Sequence, residues 1–397
     1  MSPWELWSCK SGGLCQNSSG PADTLFPEGG ACFVDTSRRS QRLATLLEKR
    51  GLTHFVAAPG ATFRYLTGVA AHLSERLTLC GVGRDGAVAL LVPELELSGL
   101  PADGAWSVAA YTDAAGPDQA VDEFARLLGL SDESTVGYEE MALRQFEYRV
   151  LSRVGCGMRV ADDLISSVRA YKEADEIALL RDAARVVDAA LDRTVPLLKV
   201  GVSELEIAAE LEYRLRQAGS EGLPFATIVG SGPRGALPHG SPSAKKTRPG
   251  ELVVLDYGAT VGGYVADITR TLAFSDPDDR SVRAYDAVRR AQAAGVAACR
   301  PGVTLDRIDR TVREVIEQAG LGRYFTHRTG HGLGLEAHEP PSVVQGNETA
   351  LREGMVFTIE PGVYLPDAFG IRIEDDVAVT ADGVEVLTAF PRELIVL

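Results

Sequence analysis

The chain has 397 residues, 45% hydrophobic and 24% charged, which excludes wholesale disorder, collagen and coiled coil and suits two or three domains with their own cores. Its 40 Lys and Arg against 55 Asp and Glu give a net charge of −15. With no basic cluster and scattered aromatics, nucleic acid is excluded as a partner, and no apolar run reaches the roughly 18 residues that would make a membrane span.

In chain order, residues 1–32 are rich in Gly, Ser and Pro and show no period, so a disordered tail is expected. They lack the basic and apolar regions of a secretory leader. The six cysteines (Cys9, Cys15, Cys32, Cys80, Cys156 and Cys299) form no CxxC pair, which reads as free thiols in a reducing cytoplasm. The Asn17-Ser18-Ser19 sequon then reads as accidental. From 36 to 51, Leu43, Leu46 and Leu47 recur at helical spacing ahead of Gly51. Strand-like runs follow at 54–58, 77–81 and 87–93, then a helix near 118–130, which together suggest a small α/β domain over 33–160. Gly81-Val82-Gly83-Arg84-Asp85-Gly86 fits GxGxxG, but a strand follows it instead of the helix a pyrophosphate requires, so Asp85-Gly86 reads as a hairpin turn.

The second domain is expected over 161–397. A long helix over 163–198, rich in charge and alanine, suits an exposed or bridging position. Next come a helix at 203–218, a strand at 225–230, and two hairpin units separated by helices at 280–299 and 304–319. In the first hairpin Asp256 and Asp267 are equidistant from a midpoint at 261.5, so they should face each other. In the second, Glu360 and Glu374 are equidistant from 367, amid apolar strand residues. Opposed like charges destabilise a sheet unless something neutralises them.

Between the hairpin units runs a histidine-rich loop carrying His327, His331 and His338. The zinc motif HExxH does not arise, because Pro340-Pro341-Ser342 follow His338-Glu339. Four carboxylates and one imidazole match the inventory of a two-metal site, and hard oxygen donors with one nitrogen favour Mn, Co or Zn. Two such ions can generate hydroxide at neutral pH, which is hydrolytic chemistry.

These residues resemble the pita-bread metallopeptidases: methionine aminopeptidase, aminopeptidase P, Xaa-Pro dipeptidase (prolidase) and the metal-free creatinase. The resemblance rests on Asp256 with Asp267, Thr329-Gly330-His331-Gly332, Glu360 in Thr358-Ile359-Glu360-Pro361-Gly362, and Glu374 in Ile371-Arg372-Ile373-Glu374-Asp375. It implies an α+β fold, with a pita-bread catalytic domain and a smaller creatinase-like α/β domain before it. Arg64-Tyr65-Leu66-Thr67-Gly68 is similar to a short motif of that smaller domain, although by itself it reads as a strand-to-turn passage.

The resemblance further implies two divalent ions, with Mn favoured over Co or Zn. Asp267 and Glu374 would bridge them, Asp256 would hold one, and His331 and Glu360 the other. Glu360 would also shuttle the proton of the attacking water. His239 and His338 would act without binding metal, His338 on the tetrahedral intermediate. His327 and Arg372, with His239, would line the proline side of the pocket. Since all five ligand positions are intact, the creatinase branch and an inactive binding homologue are disfavoured. The size of the first domain disfavours methionine aminopeptidase. A prolidase acting on small peptides with proline second is the expected activity, with aminopeptidase P as the alternative and a homodimer as the expected state.

Overall fold

The computed structural model describes residues 36–397; the tail expected at 1–32, with Cys9, Cys15, Cys32 and the Asn17 sequon, lies outside them. The first part contains α1 (Thr36–Lys49), β1 (His54–Ala57), α2 (Ala61–Thr67), β2 (Leu79–Gly83), β3 (Val88–Pro93), β4 (Ser107–Tyr111), α3 (Asp118–Leu128), β5 (Thr135–Tyr138), α4 (Gln145–Ser152) and β6 (Gly157–Val160). Its strands form one mixed sheet in the order β4-β3-β2-β1-β5-β6. Alternation divides β1 between two cores. Phe55 packs with Leu43 and Leu47 of α1, while its neighbour Val56 packs with Phe124 and Leu128 of α3. The GxGxxG stretch turns at 84–85 between β2 and β3, as its turn chemistry requires. Arg64 to Gly68 is not a strand-to-turn passage: it is the end of α2, capped by Gly68 at φ 73° donating to Arg64 O.

The single helix expected over 163–198 is two, α5 (Asp162–Arg169) and α6 (Ala174–Thr194). Between them Tyr171 bridges to Met355 and Lys172 N–H donates to Gly354 O at 2.8 Å, so tertiary pairing replaces helical bonds. Nor is α6 exposed or bridging. Ala183, Ala184, Val186, Val187, Ala190 and Leu191 are fully buried, and the alanines let it lie close against a sheet. There follow α7 (Glu204–Gln217), β7 (Ile228–Ser231), β8 (Leu252–Val261), β9 (Tyr264–Ala273), α8 (Asp279–Ala298) and α9 (Leu305–Gln318). The remaining strands are β10 (Gly330–Gly332), β11 (Glu339–Val343), β12 (Val356–Ile359), β13 (Gly362–Leu365), β14 (Phe369–Arg372), β15 (Asp375–Val379) and β16 (Val384–Val386).

Three sheets result: β7-β8-β9, β11-β10-β12-β15-β16, and the hairpin β13-β14. Tyr257, Ala259, Ala266 and Ile268 pack beneath α6, so the alternate residues Asp256, Asp267 and Thr269 face away from that helix. The register of β8 and β9 differs from the expected one. Gly262 and Gly263, at φ +56° and +82°, make the two-residue turn, with Val261 opposite Tyr264. The midpoint is therefore 262.5. Asp256 faces Thr269 and Asp267 faces Gly258, which makes the two acids diagonal neighbours on one face.

The second register holds: Ile359 faces Asp375 and Gly362 faces Arg372, about residue 367. Glu360 and Glu374 are, however, not inside strands. They occupy the breaks at 360–361 and 373–374, where the paired chain leaves β12 and β15 for β13 and β14. Pro361 has no N–H to continue the ladder there.

Candidate active site

Three of the expected ligand side chains converge. Ligand atoms of Asp267, His331 and Glu374 lie within 4.8 Å of one another, and all three residues are buried. His331 Nε2 is 3.9 Å from Asp267 and 3.3 Å from Glu360, whose side chain is 14% exposed. The local sequence allows this approach. On β10, between β11 and β12, a Cβ on Gly330 would stand 1.8 Å from Thr358 O, and one on Gly332 2.5 Å from Pro340 O. Only glycine on both sides of His331 lets the strand lie so close.

The fourth carboxylate, Asp256, joins through Arg372, whose Nη2 it binds. Arg372 links the residues expected on the proline side. Its Nη1 donates to Tyr364 Oη at 2.6 Å and to Pro238 O at 3.3 Å, and its Nε donates to Thr269 Oγ1 at 3.1 Å. Tyr364 Oη also meets His327 Nε2 at 3.0 Å. Pro238 carries the exposed His239 next to it. His338, also exposed, sets its ring edge-on to His331 at 4.2 Å. The structure thus gathers all nine expected site residues around one centre.

Three further residues escaped the sequence reading. Thr269 Oγ1 donates to Glu374 at 2.6 Å, and Thr358 Oγ1 accepts from His331 N–H at 3.1 Å. Tyr364 is the third. The signal for Tyr364 and Thr269 was available in strand alternation: each lies two residues from a position already implicated, Gly362 facing Arg372 and Asp267.

The electrostatics are those of a site short of positive charge. Burial and the neighbouring Glu374 and Asp256 raise the Asp267 carboxyl well above its usual value. Burial and Glu360 do the same to Glu374, and burial lifts Glu360 to about 7. Burial pulls His331 down to about 3, which leaves a neutral imidazole able to ligate, and His327 to about 4. Asp267 Oδ1 and Glu374 Oε1 are buried without any hydrogen-bond partner. Unpartnered buried carboxylates are costly. Divalent cations held by carboxylate oxygens and an imidazole would relieve that cost, so the residues present fit a metal site.

Beside His338 a cavity of about 480 Å³ opens between the two parts of the chain. Glu336 and Val265 line it on one side, and Arg64 and His72 on the other.

The sequence profile of metallopeptidase family M24 matches residues 178–381, and that of the creatinase/prolidase N-terminal domain matches 39–171. A Xaa-Pro dipeptidase from Pyrococcus horikoshii is 33% identical over 365 residues, covering 90% of this chain and 99% of the relative. The solved Xaa-Pro dipeptidase from Bacillus anthracis superposes with a TM-score of 0.82 at 32% identity, covering 91% of this chain and all of the other. The solved X-Pro aminopeptidase from Thermotoga maritima reaches 0.81 at 32% identity, over 90% of this chain and all of the other.

Proposed function

Because the chain belongs to metallopeptidase family M24, with prolidase-like relatives along most of its length, we propose that it is a Xaa-Pro dipeptidase working with two Mn ions. Asp267 and Glu374 would be shared between the ions, Asp256 would complete one, and His331 and Glu360 the other. The observation that carries the metal assignment is the pair of partnerless oxygens on Asp267 and Glu374, inside a cluster of four carboxylates. When bound, the ions supply hydroxide at neutral pH and polarise the scissile carbonyl. A proline nitrogen in the peptide bond has no hydrogen to donate, so such chemistry suits it where donor-dependent recognition fails.

The chain's own residues divide the remaining work. Glu360, whose carboxylate stands 3.3 Å from His331 Nε2, can take a proton from the attacking water and return it to the leaving proline nitrogen. His338 hydrogen-bonds the carbonyl oxygen as it gains charge. His239 receives the free carboxylate of proline, His327 lines that pocket with its ring held between Arg328 O and Tyr364 Oη, and Arg372 lends the pocket its charge while bound to Asp256, Tyr364, Thr269 and Pro238. We place the side chain of the first residue in the cavity beside His338.

Dipeptides are favoured over longer peptides because a pocket built to hydrogen-bond a terminal carboxylate leaves its donors unmatched when that group is absent. A cytoplasmic homodimer is part of the same proposal. The experiment compares Leu-Pro, Leu-Pro-Gly and Met-Ala-Gly at equal Mn. Faster cleavage of Leu-Pro is expected. Faster cleavage of Leu-Pro-Gly would instead assign an aminopeptidase P, and cleavage of Met-Ala-Gly alone a methionine aminopeptidase.

A further inference from the structure

Between the two parts of the molecule lies a buried group of charges that plays no role in the chemistry above. Arg169 ends α5 and Lys172 follows in the segment before α6; their side chains are 8% and 1% exposed. Both meet the carboxylate of Glu339, itself 4% exposed. Arg169 Nη2 binds one oxygen, and Lys172 Nζ lies 3.2 Å from the other. Arg169 also donates to Glu336 at 2.7 Å and to Thr62 at 3.3 Å, and Glu139 stands 4.0 Å from it. The backbone is shaped to admit the group. A Cβ on Gly334 would fall 1.9 Å from Glu339 Oε1 and 3.0 Å from Lys172 Cε. The segment holding Lys172 is fixed in turn by the Tyr171–Met355 bridge and the bond from Lys172 N–H to Gly354 O.

Glu339 directly follows His338 and opens β11 opposite Gly332, which directly follows His331. The exposed imidazole of His338 therefore stands one residue from a carboxylate gripped by two cations, and edge-on to the ring of His331. We propose that Arg169 and Lys172 are positioning residues: by clamping Glu339 they fix where the His338 imidazole stands. The proposal rests on the role given to His338 above. It makes the segment between the two domains part of the catalytic geometry, since a displacement of about 1 Å in such a group can cost on the order of 10²-fold in rate.

The test is a double-mutant cycle in the metal-loaded enzyme with Leu-Pro. Glu339→Gln keeps shape and removes charge. It should lower kcat by about 10- to 100-fold, with KM within about twofold and metal content parental. In His338→Ala/Glu339→Gln the rate should be no lower than in His338→Ala alone, because both changes remove one function. Losses that multiply in the double variant would overturn the proposal, as would parental kcat in Glu339→Gln. Leaving Lys172 buried without its carboxylate can unfold the single variant. The charge-balanced Glu339→Gln/Lys172→Met variant is then taken through the same cycle with the same expectations. An unimpaired His338→Ala would remove the histidine's assignment and the clamp together, a result distinct from multiplying losses.

Discussion

Glu360 and its neighbours set the behaviour of the metal-free protein. Its folded carboxyl titrates at about 7 against an ordinary 4.5, and Asp267 and Glu374 are raised well above their ordinary values. The folded state thus keeps protons that the unfolded chain has released. That stability is full below the unfolded value and is lost as pH rises through the folded one. His331 and His327, depressed to about 3 and about 4, act in the opposite sense, but their contribution is complete above their unfolded value of 6.5. From about pH 7 to 8 the carboxylates dominate the change. The metal-free protein should therefore lose thermal stability over that interval, and Mn should flatten the slope; a metal-free Tm that rises there would contradict the assignment. For the histidines, His239→Ala and His338→Ala should each cost on the order of 10²-fold in rate with metal content near parental. Loss of an ion from His338→Ala would mean that it, and not His331 alone, is a ligand. Tyr364→Phe removes the hydroxyl shared by His327 and Arg372 and should act mainly on KM for the dipeptide.

At the scale of elements, β10 is tightly fitted between its neighbours. Gly330→Ala drives a methyl into Thr358 O and should destabilise the protein by roughly 1–3 kcal/mol in denaturant unfolding, as overpacking does. Gly99→Ala, with nothing within 4 Å, should stay close to parental stability. Equal stability of the two variants would contradict the packing described for β10. Gly330-His331-Gly332 and the acid pairs were readable because glycine and carboxylate are costly in strands unless something requires them. The true turn at Gly262-Gly263 was also encoded locally, as a two-residue glycine loop between Val261 and Tyr264; centring it one residue early put Asp256 opposite Asp267 in place of Thr269. The break between α5 and α6 was only partly encoded locally: Ala170-Tyr171-Lys172-Glu173 contains no Pro or Gly, although Glu173 and Glu176 form a capping box that opens α6, and the segment pairs with Gly354 and Met355, far along the chain. The burial of α6 was hidden likewise, since alanines suit either solvent or close packing until the sheet beneath them is known.

For the whole molecule, the two parts meet through ion pairs as well as apolar contact. Arg39 on α1 reaches Glu176 at 3.2 Å and Tyr264 at 2.9 Å, and Arg169 reaches Glu336 from α5, whose Leu164, Ile165 and Val168 pack into the core of the first part. The cavity between them opens beside His338, which puts the first domain at one wall of the site. The side chain accepted at the first residue is the property this arrangement should govern, whereas the proline-side pocket with Arg372 should make Leu-Pro faster than Leu-Pro-Gly at equal Mn. If the buried carboxylates and His331 hold two ions that hydrolyse the bond before proline, bound Mn and Leu-Pro hydrolysis, measured side by side in the parent protein and in Asp267→Asn, should fall together. The parent should bind two ions per chain and turn over the dipeptide, and the variant should lose at least one ion and fall by about 10³-fold or more, since a buried bridging oxygen is replaced by an amide. An Asp267→Asn protein that keeps both its metal and its parental rate would contradict the account.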